Sequence, residues 1–394
     1  MLRRSSMSVT AAMAAVLTLA LWSPEVSAAQ DSALHVVAFE KVTVIPMDRE
    51  RTIEDQTVVI RGRRIAEIGP SRRVRVPRGA TRIDGTGKYL IPGLAEMHGH
   101  IPSPDAGEEV IDRVLMLFLA NGITTVRGML GHPYHLQLRS QIARGERLGP
   151  QFFAAGPSIN GRSVPNVDVA WRVVTEHRAA GFDLLKIHPG LTREVYDQVA
   201  ATAKREGIPF AGHVPADVGL ERALMAGQAS IEHVDGYIEA IVADDAEVDT
   251  RSSAFFGFNL IDDVDESKIP DIAAATRAAG AWVTPTQVLF ENRFLGDPRR
   301  TAQRPEMRYV SDDVLRQWVE GTRNARERLG VTDEKARRFI ELRRKLIKAL
   351  HDAGVGILLG ADAPQVFNVP GYATLQELEA LVTAGLTPYQ ALEA

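Results

Sequence analysis

The chain has 394 residues, 45% of them hydrophobic and 24% charged, with a formal net charge of −4. That composition suits one large globular domain, alone or with a small companion, and lacks the basic excess of a nucleic-acid-binding domain. Cysteine is absent, which excludes disulfides, thiolate metal sites and a cysteine nucleophile, so any metal must be held by nitrogen and oxygen.

Residues 1–28 read as an export signal. Arg3 and Arg4 give a basic start, residues 9–22 form an apolar run, and Ser27-Ala28-Ala29 offers a small-residue cleavage site after Pro24. The run is shorter than the roughly 20 residues of a membrane span. The mature protein is therefore expected to begin near Ala29, to be periplasmic or extracellular, and to carry no stable membrane span.

Residues 29–90 predict a small β-domain. HVVAFEKVTVIPM, TVVIRGRRIAEIG and ATRIDGTGKYLIPG are β-branched runs broken by Gly, Asp-Gly or Pro. From residue 91 to 394 the texture changes to apolar strand, polar loop, helical stretch and next strand. The strand candidates are residues 94–98, 124–128, 152–156, 184–188, 210–213, 230–233, 282–286 and 356–361. Helix-like stretches such as TREVYDQVAATAKREG lie between them, that one closed by Gly. Eight strands alternating with helices predict an α/β fold of the (β/α)8 TIM-type barrel. An open doubly wound sheet would carry a Gly-rich phosphate turn after its first strand, and EMHGHIPSPD is not one. Two stretches exceed the repeat: residues 243–270, acidic around SSAFFGFNLI, and the Arg-rich residues 297–348. Solvated helix faces are the preferred reading for both, with a lid over the barrel mouth as the alternative.

In such a barrel, chemistry sits at the C-terminal strand ends. The first candidate strand ends in His98-Gly99-His100, whose imidazoles share a face because alternate residues do. The fourth carries Lys186 within LLKIH, the fifth ends at His213, the sixth at His233, and the eighth at Asp362 in LLGAD. Each alone has a plain alternative: a hydrogen-bonded structural histidine, a snorkelling lysine, an aspartate opening a turn. Their coincidence at the ends of five strands points to a metal site.

On IPGLAEMHGH, GHV, IEHVDG and GADAP the sequence resembles the amidohydrolase superfamily, over essentially the whole mature chain. It is most similar to the prolidase-like and imidazolonepropionase-related branch, in which the strand-four ligand is lysine. The resemblance implies a small β-sandwich beside the barrel, and the C-terminal return strands that complete that sandwich are missing after Ala394, which suggests a truncated chain. It also implies two divalent metal ions, zinc being the leading candidate. His98, His100 and Asp362 would hold the buried one, and His213 and His233 the more exposed one. Lys186 would bridge both as a carbamate formed with carbon dioxide. A bridging hydroxide would attack the substrate carbonyl while Asp362 moves the proton, first as base and then as acid.

The implied substrate is a small molecule with an amide or peptide-like bond, such as a dipeptide or N-acyl amino acid. His188, Tyr237, Arg127 and His132 are placed to reach the mouth and meet it. A lactone, phosphotriester or cyclic amidine is the alternative substrate, and an exported binding protein without turnover the alternative class. A homo-oligomer is compatible with these readings. His35, His135, His177 and His351 fall in small-domain or helix contexts and are left out of the site.

Overall fold

The computed structural model describes residues 35–394, so the expected export signal lies outside the described residues. The chain splits into two compact units, Met1–Ile91 and Pro92–Ala394.

In the first unit, β1 (Val36–Val44) pairs antiparallel with β2 (Ile53–Arg61), which pairs antiparallel with β3 (Arg64–Pro70). β4 (Thr81–Asp84) and β5 (Tyr89–Leu90) lie parallel to β1. The β2–β3 connection is a two-residue hairpin, Gly62-Arg63, and Gly62 takes φ 58°. A tight hairpin favours such positive φ because it matches the twist of the flanking strands, and glycine adopts it without a Cβ clash. The three predicted runs thus pair edge to edge in one five-stranded sheet, with Val42, Val44 and Val58 buried together. Of the expected sandwich, the described residues show this one hydrogen-bonded sheet.

The second unit mixes parallel strands with helices. β6 (Leu94–Gly99), β7 (Ile123–Gly128) and β8 (Gln151–Ala154) form one parallel set. β9 (Leu185–Ile187), β10 (Phe210–Gly212), β11 (Ser230–Glu232) and β12 (Trp282–Thr284) form another. A parallel bridge from Ala155 to Leu184 joins the sets. The eighth candidate, residues 356–361, is not a regular strand. It is held by a few backbone bonds on either side: Val283 N–H to Gly356 O at 2.9 Å and Leu358 N–H to Val283 O at 2.8 Å, and Met97 N–H to Leu359 O at 2.8 Å.

Helix Arg193–Glu206 shows why the intervening segments fold as read. The Thr192 hydroxyl accepts the Val195 N–H, and Gly207 ends the helix in the left-handed region at φ 65°. Its buried face, Val195, Val199, Ala200 and Ala203, recurs at helical spacing and packs in the core with Leu185, Ile187, Phe210 and Ile231 of the strands.

The long Arg-rich stretch carries two long helices of unlike character. Asp312–Arg328 buries Thr322 alone and fits the solvated reading. Asp333–Asp352 does not: it buries Phe339, Leu346 and the whole of Arg343. Three carbonyl or amide oxygens take the Arg343 donors (His233 O at 2.7 Å, Pro285 O at 2.9 Å, Gln287 Oε1 at 3.0 Å), and the guanidinium carbon lies 3.4 Å from the Phe290 ring centroid. Among the described residues no helix is long and apolar enough to cross a membrane.

Candidate metal centre

All six side chains singled out as ligands, His98, His100, Lys186, His213, His233 and Asp362, line one cavity of about 770 Å³. Parallel strands explain the gathering, since their C-terminal ends lie on one side. A larger cavity of about 1260 Å³ alongside shares His213 and holds none of the other five.

The tightest group is His98, His100 and Asp362, whose donor atoms lie within 4.8 Å of one another. Asp362 Oδ1 is 2.6 Å from His100 Nε2 and 3.8 Å from His98 Nε2. The Lys186 amine, wholly buried, sits 3.3 Å from His98 Nε2. Asp362 Oδ2 reaches to 3.8 Å of His233 Nδ1. Asp362 and His233 have φ values of 59° and 66°. Left-handed backbone is uncommon for residues with a side chain, and it persists where the surroundings hold it. At His233 the holder is Arg343, through the carbonyl.

Two imidazoles have a carboxylate on Nδ1, and a third has a hydroxyl there. His98 Nδ1 is 2.6 Å from Glu232 Oε2, His213 Nδ1 is 3.0 Å from Asp235 Oδ2, and His233 Nδ1 is 2.8 Å from the Thr286 hydroxyl. A histidine whose Nδ1 proton is fixed on an acceptor offers Nε2 as a lone pair, the arrangement that orients metal-binding imidazoles. Electrostatics agree. Burial, aided by the Lys186 charge, pulls His98 down to about 4, and burial puts His233 well below its ordinary value, so both are neutral at pH 7. Burial lowers Lys186 to about 8. Asp362 is buried too, which by itself would raise it. The neighbouring imidazoles of His98 and His100, the His100 hydrogen bond and the Lys186 charge outweigh that and hold it well below the usual carboxylate range.

Two buried acids that the sequence reading passed over set this geometry. Glu96 Oε1 accepts the His98 and Ala361 N–H groups, both at 2.9 Å, and its Oε2 accepts the Thr374 hydroxyl at 2.6 Å. It thereby couples the strand of His98 to the segment of Asp362. Glu232 takes His98 on one oxygen, and on the other Ser230 Oγ at 2.5 Å and Arg127 Nη2 at 2.9 Å. Glu232 burial opposes ionisation, but Arg127 and His98 overcome it and keep the carboxylate charged.

Arg127 is therefore not a mouth residue. Its guanidinium lies outside the cavity lining and bonds Met97 O, Ser230, Glu232 and Thr284. Arg127→Met leaves Glu232 buried without its cation, and breaking such a pair typically costs about 3–5 kcal/mol. The expected result is a matching fall in the denaturant midpoint; an unchanged midpoint would mean His98 and Ser230 suffice for Glu232.

Tyr237 is also corrected. It is fully buried in the hydrophobic core, and its hydroxyl meets Thr276 at 3.0 Å, away from the cavity. The chain turns through left-handed His233 and Val234 before reaching it, so closeness in sequence to His233 does not set its direction. His188 and His132 do line the cavity. His188 stacks on His213 at 5.1 Å and bonds Ser158 Oγ at 2.8 Å; burial, then the Lys186 charge, holds it neutral. His135, left out of the site on its helical context, lines the cavity as well. So do Phe255, Phe256, Leu289 and Arg293, none of which the sequence reading singled out.

Residues 89–394 match the family model described as amidohydrolase family. The chain belongs to that family. Solved structures agree on the fold. This amidohydrolase is similar to the bottromycin amidohydrolase AH, with 24% identity, TM-score 0.66, and 92% of this chain and 76% of that one covered. It is similar to a Xaa-Pro dipeptidase with bound methionine in the active site, at 19% identity, TM-score 0.59, and 91% and 86% coverage. It is also similar to the ochratoxinase of A. niger, at 17% identity, TM-score 0.60, and 92% and 82% coverage. These likenesses give a TIM-barrel-type α/β fold. Over 96 residues, 23% of this chain, it is 30% identical to an adenine deaminase of Rubrobacter xylanophilus, of which the match spans 16%. The family is one of hydrolases that generally depend on metal. The donor set fits that dependence: nitrogen and oxygen donors converge, with outer nitrogens already oriented.

Proposed function

We propose that the protein hydrolyses an amide or peptide-like bond in a dipeptide or N-acyl amino acid. The observation that carries this reading is the convergence of His98, His100 and Asp362 within 4.8 Å, in the same cavity as Lys186, His213 and His233. His98, His100 and Asp362 would hold one divalent cation, His213 and His233 a second, and Lys186, carboxylated, would contact both. Zinc leads for such donors, and bound cations would supply Lewis acidity and a water that ionises near neutral pH.

The chain's own residues do the rest. Asp362, ionised, accepts the proton of the attacking water as its oxygen bonds the carbonyl carbon. The same carboxyl then gives that proton to the nitrogen as the C–N bond breaks, releasing an amine and a carboxylic acid. Neutral His98 keeps its Nε2 lone pair available because its Nδ1 proton is held by the Glu232 carboxylate. The eight strand segments, bridged as described, would form a closed (β/α)8 ring around this cavity.

Metal analysis of the purified protein together with a hydrolysis panel tests the reading. About two metal ions per chain and turnover of dipeptides or N-acyl amino acids are expected. Metal-loaded protein that cleaves no amide in the panel would defeat it. A cyclic amidine is the second reading, favoured by the match to an adenine deaminase, so adenine belongs in the same panel.

A further inference from the structure

Three arginines surround the site, and they use their donors differently. Arg127 and Arg343 spend theirs on carboxylate, carbonyl and amide oxygens of the protein. Arg293, on helix Gln287–Phe294, lines the cavity that holds the six candidate ligands. Its Nε is buried with no hydrogen-bond partner, and among the described residues no carboxylate pairs with its guanidinium. What touches it is an aromatic ring, with the guanidinium carbon 5.0 Å from the Phe255 centroid. A half-buried cation with an unmet donor is costly unless an anion completes it, and a guanidinium fork matches a carboxylate with two parallel hydrogen bonds. Phe255, Phe256 and Leu289 line the same cavity and give it an apolar wall.

We propose that Arg293 binds the free α-carboxylate of the amino acid released by hydrolysis. It would thereby select substrates with an open C-terminus and an apolar terminal side chain packed on Phe255, Phe256 and Leu289. This rests on the amide-hydrolase reading and adds its specificity-determining residue. The arrangement has two parts. The guanidinium anchors one end of the substrate, and the apolar wall holds the side chain beside it. A carboxamide or ester in place of the acid removes the charge that the guanidinium is there to meet.

The test compares L-phenylalanine with L-phenylalaninamide as binding probes on the metal-loaded full chain. In parallel, it compares hydrolysis of N-acetyl-L-phenylalanine with that of N-acetyl-L-phenylalaninamide. Wild type is expected to bind the acid at least about tenfold more tightly than the amide, the scale of a charged hydrogen bond. Arg293→Met should weaken the acid alone until the two probes bind alike, and Arg293→Lys should keep part of the preference. An Arg293→Met variant that retains its wild-type melting temperature and still prefers the acid would overturn the assignment. So would a wild type that treats both probes alike. The two readings fail separately. Amide hydrolysis indifferent to the terminal carboxylate sinks the Arg293 assignment and leaves the hydrolase. Arg293-dependent binding without cleavage of any amide keeps the anion site and sinks the hydrolase.

Discussion

Asp362→Asn is expected to lower kcat by about 10²–10⁴, the range that general acid–base catalysis supplies, while KM changes little. The side chain keeps its shape but loses the ability to take a proton. The imidazoles of His98 and His100, with the Lys186 charge, hold the carboxylate ionised despite its burial, so it is unprotonated and able to accept at neutral pH. His100 Nε2 at 2.6 Å and His98 Nε2 at 3.8 Å also fix where its Oδ1 lies. The substitution removes one candidate ligand charge as well, so metal content must be measured on the same sample. Loss of turnover with metal retained assigns the proton transfer to Asp362. Turnover within about threefold of wild type, far below the loss expected for a general base, with metal retained, would remove it from the mechanism.

Much of the site was legible because strand chemistry is periodic and local. A histidine or lysine at the end of an apolar run must sit at the rim if the runs are parallel strands, and one rim gathers them all. What was hidden is what depends on direction rather than order. Glu232 precedes His233, and strict alternation would send the two to opposite faces. The left-handed backbone at His233 breaks that alternation, so Glu232 can hold His98 while His233 faces the cavity. Arg127 lies one residue before the end of its strand, and its long side chain meets the buried acid instead of the opening. The eighth segment read as a strand from its composition, yet its bonds to β6 and β12 are too sparse for a regular ladder. Arg343 and Arg293 could not be separated from solvated arginines by sequence. One lies in an Arg-rich amphipathic helix and the other in a short helix of mixed polarity, and only packing shows which guanidinium is satisfied and which is not.

Lys186→Met is expected to abolish measurable turnover and to reduce bound metal from about two ions per chain to about one or fewer, because the shared ligand is gone. An ordinary lysine is protonated at neutral pH, and an ammonium beside two cations would repel them. Burial lowers Lys186 to about 8, so its neutral fraction is about one tenth at pH 7 and about nine tenths at pH 9. Only the neutral amine can bond the carbon of carbon dioxide, releasing a proton and leaving an anionic carbamate. At fixed dissolved carbon dioxide, uptake by metal-free protein should therefore quicken about tenfold from pH 7 to pH 9 and then level off. A lysine at its usual value of about 10.4 would instead go on rising through pH 10. Isotope-labelled carbon dioxide should give a carbamate carbon signal in wild type that Lys186→Met lacks. Two metals bound by the wild type with no such signal would leave the lysine a neutral amine, and the bridge would have to come from another group.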